Sequence, residues 1–277
     1  MKFFKRNQIT SENGFSLVEI AVVLVIISVL LTIVVVPIAA QIEQRRTEET
    51  LRQLETIKEA LLGFAIANGR LPCPATAASN DGVEAFVPVT GTPANGNCFQ
   101  FVGLVPGKTL GLSPLDGNGF AVDAWGLQQN RIVYGVSNRT IPATGMPADC
   151  VTPVPNPVLT STNGMKSATM SCLANSSATV AMLTICSTTP TGAAGAATNC
   201  TASLTSKAPF VLISLGKNAA TGGTGTDEAH NVDLTDFYFV SHSPTLAGSA
   251  NGEFDDIVTW GSLNILFARM LQAGKLP

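Results

Sequence analysis

Residues 14–42 read GFSLVEIAVVLVIISVLLTIVVVPIAAQI, and this stretch decides the fold. Ile20 to Ile42 are 23 consecutive uncharged residues, dense in Val, Ile and Leu. A helix of about 20 such residues crosses a hydrocarbon core of roughly 30 Å. We therefore expect a single membrane span in this part of the chain.

A short basic leader precedes the apolar run. It carries Lys2, Lys5 and Arg6 against one acid, Glu12. Basic flanks stay on the cytoplasmic side of a span, so the N-terminus is expected in the cytoplasm and the bulk of the chain on the other side. Glu19 lies near the cytoplasmic end of the span, where an ionisable side chain is costly and indicates a function and a partner.

The sequence Gly14-Phe15-Ser16-Leu17-Val18-Glu19, between the leader and the apolar run, resembles the class III signal of the type IV pilin and pseudopilin superfamily. The resemblance implies that a membrane aspartic peptidase, the prepilin peptidase, cuts after Gly14 and methylates the new N-terminus at Phe15. It also implies that Glu19, the fifth residue of the mature chain, pairs with the amine of Phe15 on a neighbouring subunit. Two charges that are costly alone in lipid compensate each other at close range.

Two other interpretations of this segment remain open. Glu19 could be an interfacial acid that extends to the headgroups. The segment could also be a secretory signal peptide cut before Gln41, after the small residues Ala39 and Ala40. Apolar regions of signal peptides run about 7 to 15 residues, and this one is longer, which favours the prepilin interpretation.

An amphipathic helix is expected to continue the apolar one. Leu51, Leu54, Ile57, Leu61 and Phe64 recur at steps of three and four residues among charged residues, which indicates one buried helix face. Gly69 can take the left-handed conformation that ends helices. The predicted helix therefore runs from about residue 15 to residue 68.

The predicted fold class is α+β and pilin-like, as the resemblance implies. A long N-terminal helix, membrane-spanning in its first half, packs against a β-rich C-terminal head. The expected divisions are a cleaved leader (1–14), the transmembrane and assembly helix (15–69) and an extracytoplasmic head (70–277). In the head, short apolar runs between glycine-rich turns predict strands in two blocks. The first includes residues 103–106, 110–112, 123–126 and 132–136, and the second includes residues 210–216 and 237–240.

Residues 140–206 form an insertion within the head. Only Asp149 and Lys166 are charged in these 67 residues, which are rich in Thr, Ser, Ala, Asn and Pro. That composition alone would fit a flexible linker. The cysteines argue for a stapled subdomain, since four of the chain's six lie here.

The six cysteines predict disulfides, because an even count in an extracytoplasmic domain is typical of an oxidising compartment. Six cysteines allow 15 connectivities. We predict pairing between sequence neighbours: Cys73 with Cys98, Cys150 with Cys172, and Cys186 with Cys200. No pair has the close spacing of a zinc site.

Two acidic clusters near the C-terminus predict a calcium site. Asp227-Glu228, after the glycine-rich residues 214–225, and Asp255-Asp256, before Trp260, look like the calcium-loop region of major pseudopilins. Calcium prefers several carboxylate and carbonyl oxygens on a loop. The stretch from 230 to 251 and Lys217 depart from that pattern, and solvated turn residues are an equal alternative. No cofactor is otherwise required.

An enzymatic role is not expected. Residues 103–109, GLVPGKT, have one residue too few between the glycines for a phosphate-binding loop, and neither a nucleophile elbow nor a histidine-rich cluster occurs. After removal of the leader, 13 Lys and Arg remain against 18 Asp and Glu. This balance gives no support for nucleic-acid binding by a broad basic face.

The sequence therefore predicts a structural subunit, a minor pilin or pilin-like protein of a type IV pilus-type filament. Its expected partners are the prepilin peptidase, other pilin or pseudopilin subunits, the inner-membrane assembly platform and the membrane. Its expected location is the bacterial inner membrane and then a periplasmic or cell-surface filament. The alternatives are a pseudopilin of a type II secretion system and an anchored or secreted monomeric binding protein.

Overall fold

The computed structural model describes residues 14–126, 128–143, 150, 153–174, 182–193, 196–221 and 225–276, with no side-chain description for 32–37, 39 and 171. The chain divides into two compact units, with the boundary between Thr47 and Glu48. The helices are α1 (Leu17–Asn68), α2 (Gly107–Leu110), α3 (Gly164–Ser167), α4 (Met170–Ala174), α5 (Thr226–Val232) and α6 (Leu263–Gln272). The strands are β1 (Val102–Leu104), β2 (Val133–Val136), β3 (Leu183–Cys186), β4 (Ser203–Ala208), β5 (Phe210–Ser214), β6 (Tyr238–Val240) and β7 (Ile257–Trp260).

The first unit holds the N-terminal part of α1. Its described apolar side chains are largely solvent-exposed, as at Leu17 (87%), Val18 (70%) and Leu24 (61%). Among the described residues, no helical segment combines the length and the apolar character that a membrane crossing requires.

In the second unit, α1 buries one face against the head. Leu54, Ile57, Leu61 and Ala65 are buried at the predicted spacing, because residues three and four apart share one side of a helix. Of the other two predicted residues, Phe64 is only partly buried, and the prediction was wrong at Leu51, which is half exposed. The helix ends at Asn68 as predicted, and Gly69 adopts a left-handed φ of 71°.

A four-stranded antiparallel sheet in the order β1-β2-β5-β7 forms the centre of the head. Alternate residues of a strand face opposite sides. Tyr134 and Leu212 accordingly join the core that contains α1, whereas Val133, Val211 and Ile213 join a second core on the other face. Because both faces are covered, β5 is buried along its whole length.

A three-stranded sheet in the order β4-β3-β6 covers the second core, with β3 and β6 parallel. Strand β3 and most of β4 come from the predicted insertion. Leu159, Met165 and Leu173 of that segment lie in the same core as Leu61 of α1. The insertion is therefore not a separate subdomain, because it completes both cores of the head.

Three disulfides are present, and they join the neighbour pairs that the sequence predicts: Cys73–Cys98, Cys150–Cys172 and Cys186–Cys200. All six cysteines are described, and none is free. Cys73–Cys98 links the segment after α1 to the segment before β1. Cys150–Cys172 lies in the insertion, and Cys186–Cys200 joins the end of β3 to the segment before β4.

Candidate functional site

Ser16 and Glu19 make reciprocal hydrogen bonds at the start of α1. The Ser16 backbone N–H donates to Glu19 Oε2 at 2.8 Å, and the Glu19 N–H donates to Ser16 Oγ at 3.2 Å. This is a capping box, in which two backbone donors that the first turn leaves unsatisfied find side-chain acceptors. The Glu19 carboxylate therefore points back toward the start of the helix, at Ser16, next to Phe15.

The Gly14–Phe15 bond lies immediately before this cap. Phe15 is 84% exposed, and a Cβ at Gly14 would meet no atom within 4 Å. Packing among the described residues therefore does not require glycine at position 14. Sequence reasoning missed the capping role of Ser16, although the Ser-x-x-Glu pattern signals it.

Three of the four predicted calcium ligands lie together. Oxygens of Glu228, Asp255 and Asp256 are within 4.8 Å of one another. Glu228 lies in the first turn of α5, and the two aspartates immediately precede β7. The site thus joins two segments of chain that are separate in sequence.

Neighbouring loops hold these carboxylates in place. Asn218 Nδ2 and the Asp255 N–H each donate to Glu228 Oε1 at 3.0 Å, and the Lys217 N–H donates to Asp255 Oδ2 at 3.1 Å. Gly216 has a φ of 64°, and a Cβ there would lie 2.3 Å from Asp255 Oδ1. The close approach of the loop to Asp255 therefore requires glycine at position 216.

The cluster brings three carboxyl groups close together, and Lys217 offsets part of the negative charge at Asp255. Burial and the nearby Glu228 carboxylate raise the pKa of Asp255 to about 6, and burial raises the pKa of Asp256 well above its ordinary value. Asp255 Oδ1 and Asn218 Oδ1 are buried acceptors with no hydrogen-bond partner among the described residues. Clustered acceptor oxygens of this kind fit a hard cation such as Ca²⁺.

Asp227, the fourth predicted calcium ligand, lies outside this cluster. Its Oδ1 accepts from the Thr189 hydroxyl, and its Oδ2 lies 3.1 Å from His242 Nε2 and 3.0 Å from Asn251 Nδ2. Adjacent helical residues point about 100° apart, so Asp227 and Glu228 face different neighbours. The glycine-rich residues 222–224 of the predicted loop lie outside the described residues.

Comparison with known proteins gives one match. Residues 9–35 fit the family model described as the prokaryotic N-terminal methylation motif. No curated protein and no solved structure matches the chain. Residues 9–35 are thus a prepilin signal, of the kind carried by type IV pilins and pseudopilins.

Proposed function

We propose that this chain is a minor pilin, a structural subunit of a type IV pilus-type filament. The observation that carries the proposal is the methylation motif at residues 9–35. Prepilin peptidase would cut between Gly14 and Phe15, while residues 20–42 hold the precursor in the inner membrane. The exposed apolar side chains of α1 support this role, because they form a surface that lipid or neighbouring helices must cover.

The proposed assembly step exchanges lipid for neighbouring helices around α1. The Glu19 carboxylate, which accepts the Ser16 N–H in the single chain, would turn to the methylated amine of Phe15 on an adjacent subunit. Because an unpaired charge in lipid is costly, this pairing favours one axial position of the helices. Glu19 would thereby set the register of the filament.

The first test is the N-terminus of protein purified from its native membrane, measured by intact mass with sequencing of the N-terminal peptide. The proposal requires a chain that begins at methylated Phe15. A chain that begins at Gln41 or retains Met1 would replace it with a secreted or simply anchored protein.

The second test separates processing from assembly. Glu19→Ala should leave membrane insertion and cleavage intact but sharply reduce the amount of subunit in sheared filaments. Glu43→Ala, at the other end of the apolar run, is the matched control and should assemble normally. Normal filament incorporation of Glu19→Ala would contradict the assembly role.

The acidic cluster favours a second candidate, a pseudopilin of a type II secretion system. We propose that Glu228, Asp255 and Asp256 bind Ca²⁺, which would tie α5 to the segment before β7. Added Ca²⁺ should raise the melting temperature of the chelated protein. Asp256→Asn should abolish that rise, whereas Glu59→Gln, on α1 and not part of the cluster, should keep it. An unchanged melting temperature would exclude the site.

Deletion of the gene distinguishes the two filament systems. Loss of surface filaments with normal export of secreted proteins supports the pilus. Loss of export, with surface filaments retained, supports the pseudopilus.

A further inference from the structure

A cavity of about 480 Å³ opens on the head beside strands β1 and β2. Apolar side chains form much of its lining, including Leu104, Val133, Leu215 and Leu234. Gln129 and Arg131 also line it. Pockets for small molecules typically have about 300–1,000 Å³, apolar walls and a few placed polar groups, and this cavity has all three properties.

Arg131 is the polar group that defines the chemistry of the cavity. Its side chain is only 7% exposed. Nε donates to Asp116 Oδ2 at 2.8 Å, and Cζ lies 4.3 Å from the centroid of the Phe120 ring. Burial raises the pKa of Asp116, but hydrogen bonds from the Phe120 N–H and Arg131 outweigh that effect and hold the pKa below its ordinary value. The guanidinium is therefore fixed between an ionised carboxylate and an aromatic ring.

Within the described part of the chain, the bond through Nε is the only hydrogen bond of this guanidinium. Its Nη groups can donate but cannot accept, and they remain available to a ligand in the cavity that Arg131 lines. A ligand that suits this cavity supplies acceptor oxygens to Arg131 and an apolar body to the leucines. A carboxylate matches the fork of an arginine better than any neutral head group.

We propose that this cavity binds a small amphipathic carboxylate of the fatty-acid class. The acyl chain lies along Leu104, Leu215 and Leu234, and the carboxylate accepts from the Nη groups of Arg131. Asp116 and Phe120 hold Arg131 in place before the ligand arrives, which lowers the cost of ordering it on binding. The site is independent of Glu19 and of the acidic cluster, so it holds whichever filament system the chain serves.

Titration calorimetry of the full chain, kept soluble in amphipol, tests the proposal with decanoate as the probe. We expect one decanoate per chain and binding at least about tenfold weaker for decanol, which lacks the carboxylate. Gln129→Glu places a negative charge beside the head group and should weaken decanoate binding about tenfold. Gln272→Glu adds the same charge on α6, outside the cavity, and should bind as the parent chain does.

A second variant pair tests the acyl end. Leu234→Glu should weaken binding of both decanoate and decanol, whereas Leu246→Glu, at an exposed position that does not line the cavity, should change neither. Equal binding of decanoate and decanol by all variants would mean partition onto the apolar part of α1, and it would overturn the proposal. Absence of decanoate binding would overturn it as well.

Discussion

Arg70 brings a full positive charge into the head immediately after α1. Its two Nη atoms donate to the two carboxylate oxygens of Glu84 at 2.7 Å, and its Cζ lies 5.2 Å from the centroid of the Phe64 ring and 5.5 Å from that of Phe86. Both charged side chains are largely buried. This contact fixes the segment after α1 to the end of the helix itself.

Removal of Arg70 should therefore destabilise the head strongly. Arg70→Ala leaves Glu84 buried without its counter-charge, which costs roughly 3–5 kcal/mol. Urea unfolding followed by near-ultraviolet circular dichroism measures the change. The control is Lys58→Ala, which removes the more exposed pair with Glu55 and should cost less than about 1 kcal/mol. Equal effects of the two substitutions would contradict the role of burial.

Asp255 should make the stability of the chelated protein depend on pH. Its pKa is about 6 in the folded head and 3.8 ordinarily, so between these values the folded state holds a proton that the unfolded state has released. Stability must then fall as pH rises from about 4 to about 6. In Asp255→Asn this contribution is absent.

The measurement is the urea midpoint in EDTA at pH 4, 5, 6 and 7 for both chains. Asp81 and Asp116 have lowered pKa values, so the stability that they contribute is lost as pH falls. Because this effect runs opposite to that of Asp255, the informative quantity is the difference in stability between parent and variant. From pH 4 to pH 6 the urea midpoint of the parent should fall relative to that of Asp255→Asn. A constant difference would show that Asp255 is not desolvated.

At single positions, the sequence predicted which residue types come together better than it predicted where individual side chains point. The cysteine pairs and the acidic character of the Glu228, Asp255 and Asp256 cluster follow from residue type and spacing. Asp227 lies outside the acidic cluster because its side chain leaves the first turn of α5 in a different direction from that of Glu228. Residue type alone could not separate the two, since both are acidic. Ser16 could have been found, since the capping box is visible as Ser-x-x-Glu.

At the scale of elements, hydrophobic periodicity located α1 but not β3. Helix α1 has one buried face in the head, so its apolar residues recur at a helical spacing. Strand β3 is buried along its whole length, so alternation is absent and its four residues give no pattern of their own. Its partner β4 is an edge strand of polar composition, Ser203–Ala208, which resembled the linker around it.

The buried face of α1 provides the prediction at this scale. Leu61→Ala removes a fully buried side chain from the first core and should cost about 2–5 kcal/mol of unfolding free energy. Leu51→Ala, half exposed on the same helix, should cost less than about 0.5 kcal/mol. Denaturant unfolding of the two variants measures both values. Similar losses would mean that α1 does not dock on the head through the face described.

At the scale of the whole head, two cores share one sheet. Strands β2 and β5 send alternate side chains to each core, as Tyr134 and Val133 do from adjacent positions. The insertion adds residues to both cores, and disulfides close its loops. If one core unfolds, β2 and β5 become exposed on that face, and these strands also support the other core.

We accordingly expect the head to unfold in a single transition. The chain has two tryptophans. Trp125 follows Ala124, whose N–H donates to Thr50 of α1, and Trp260 packs against the second core. Trp260→Phe and Trp125→Phe leave one reporter on each side of the sheet. Their fluorescence midpoints in urea should coincide after correction for the stability of each variant by circular dichroism, because coincident probes are the mark of a two-state transition. A lower midpoint for Trp260 alone would mean that the insertion and its sheet unfold before α1 leaves the head.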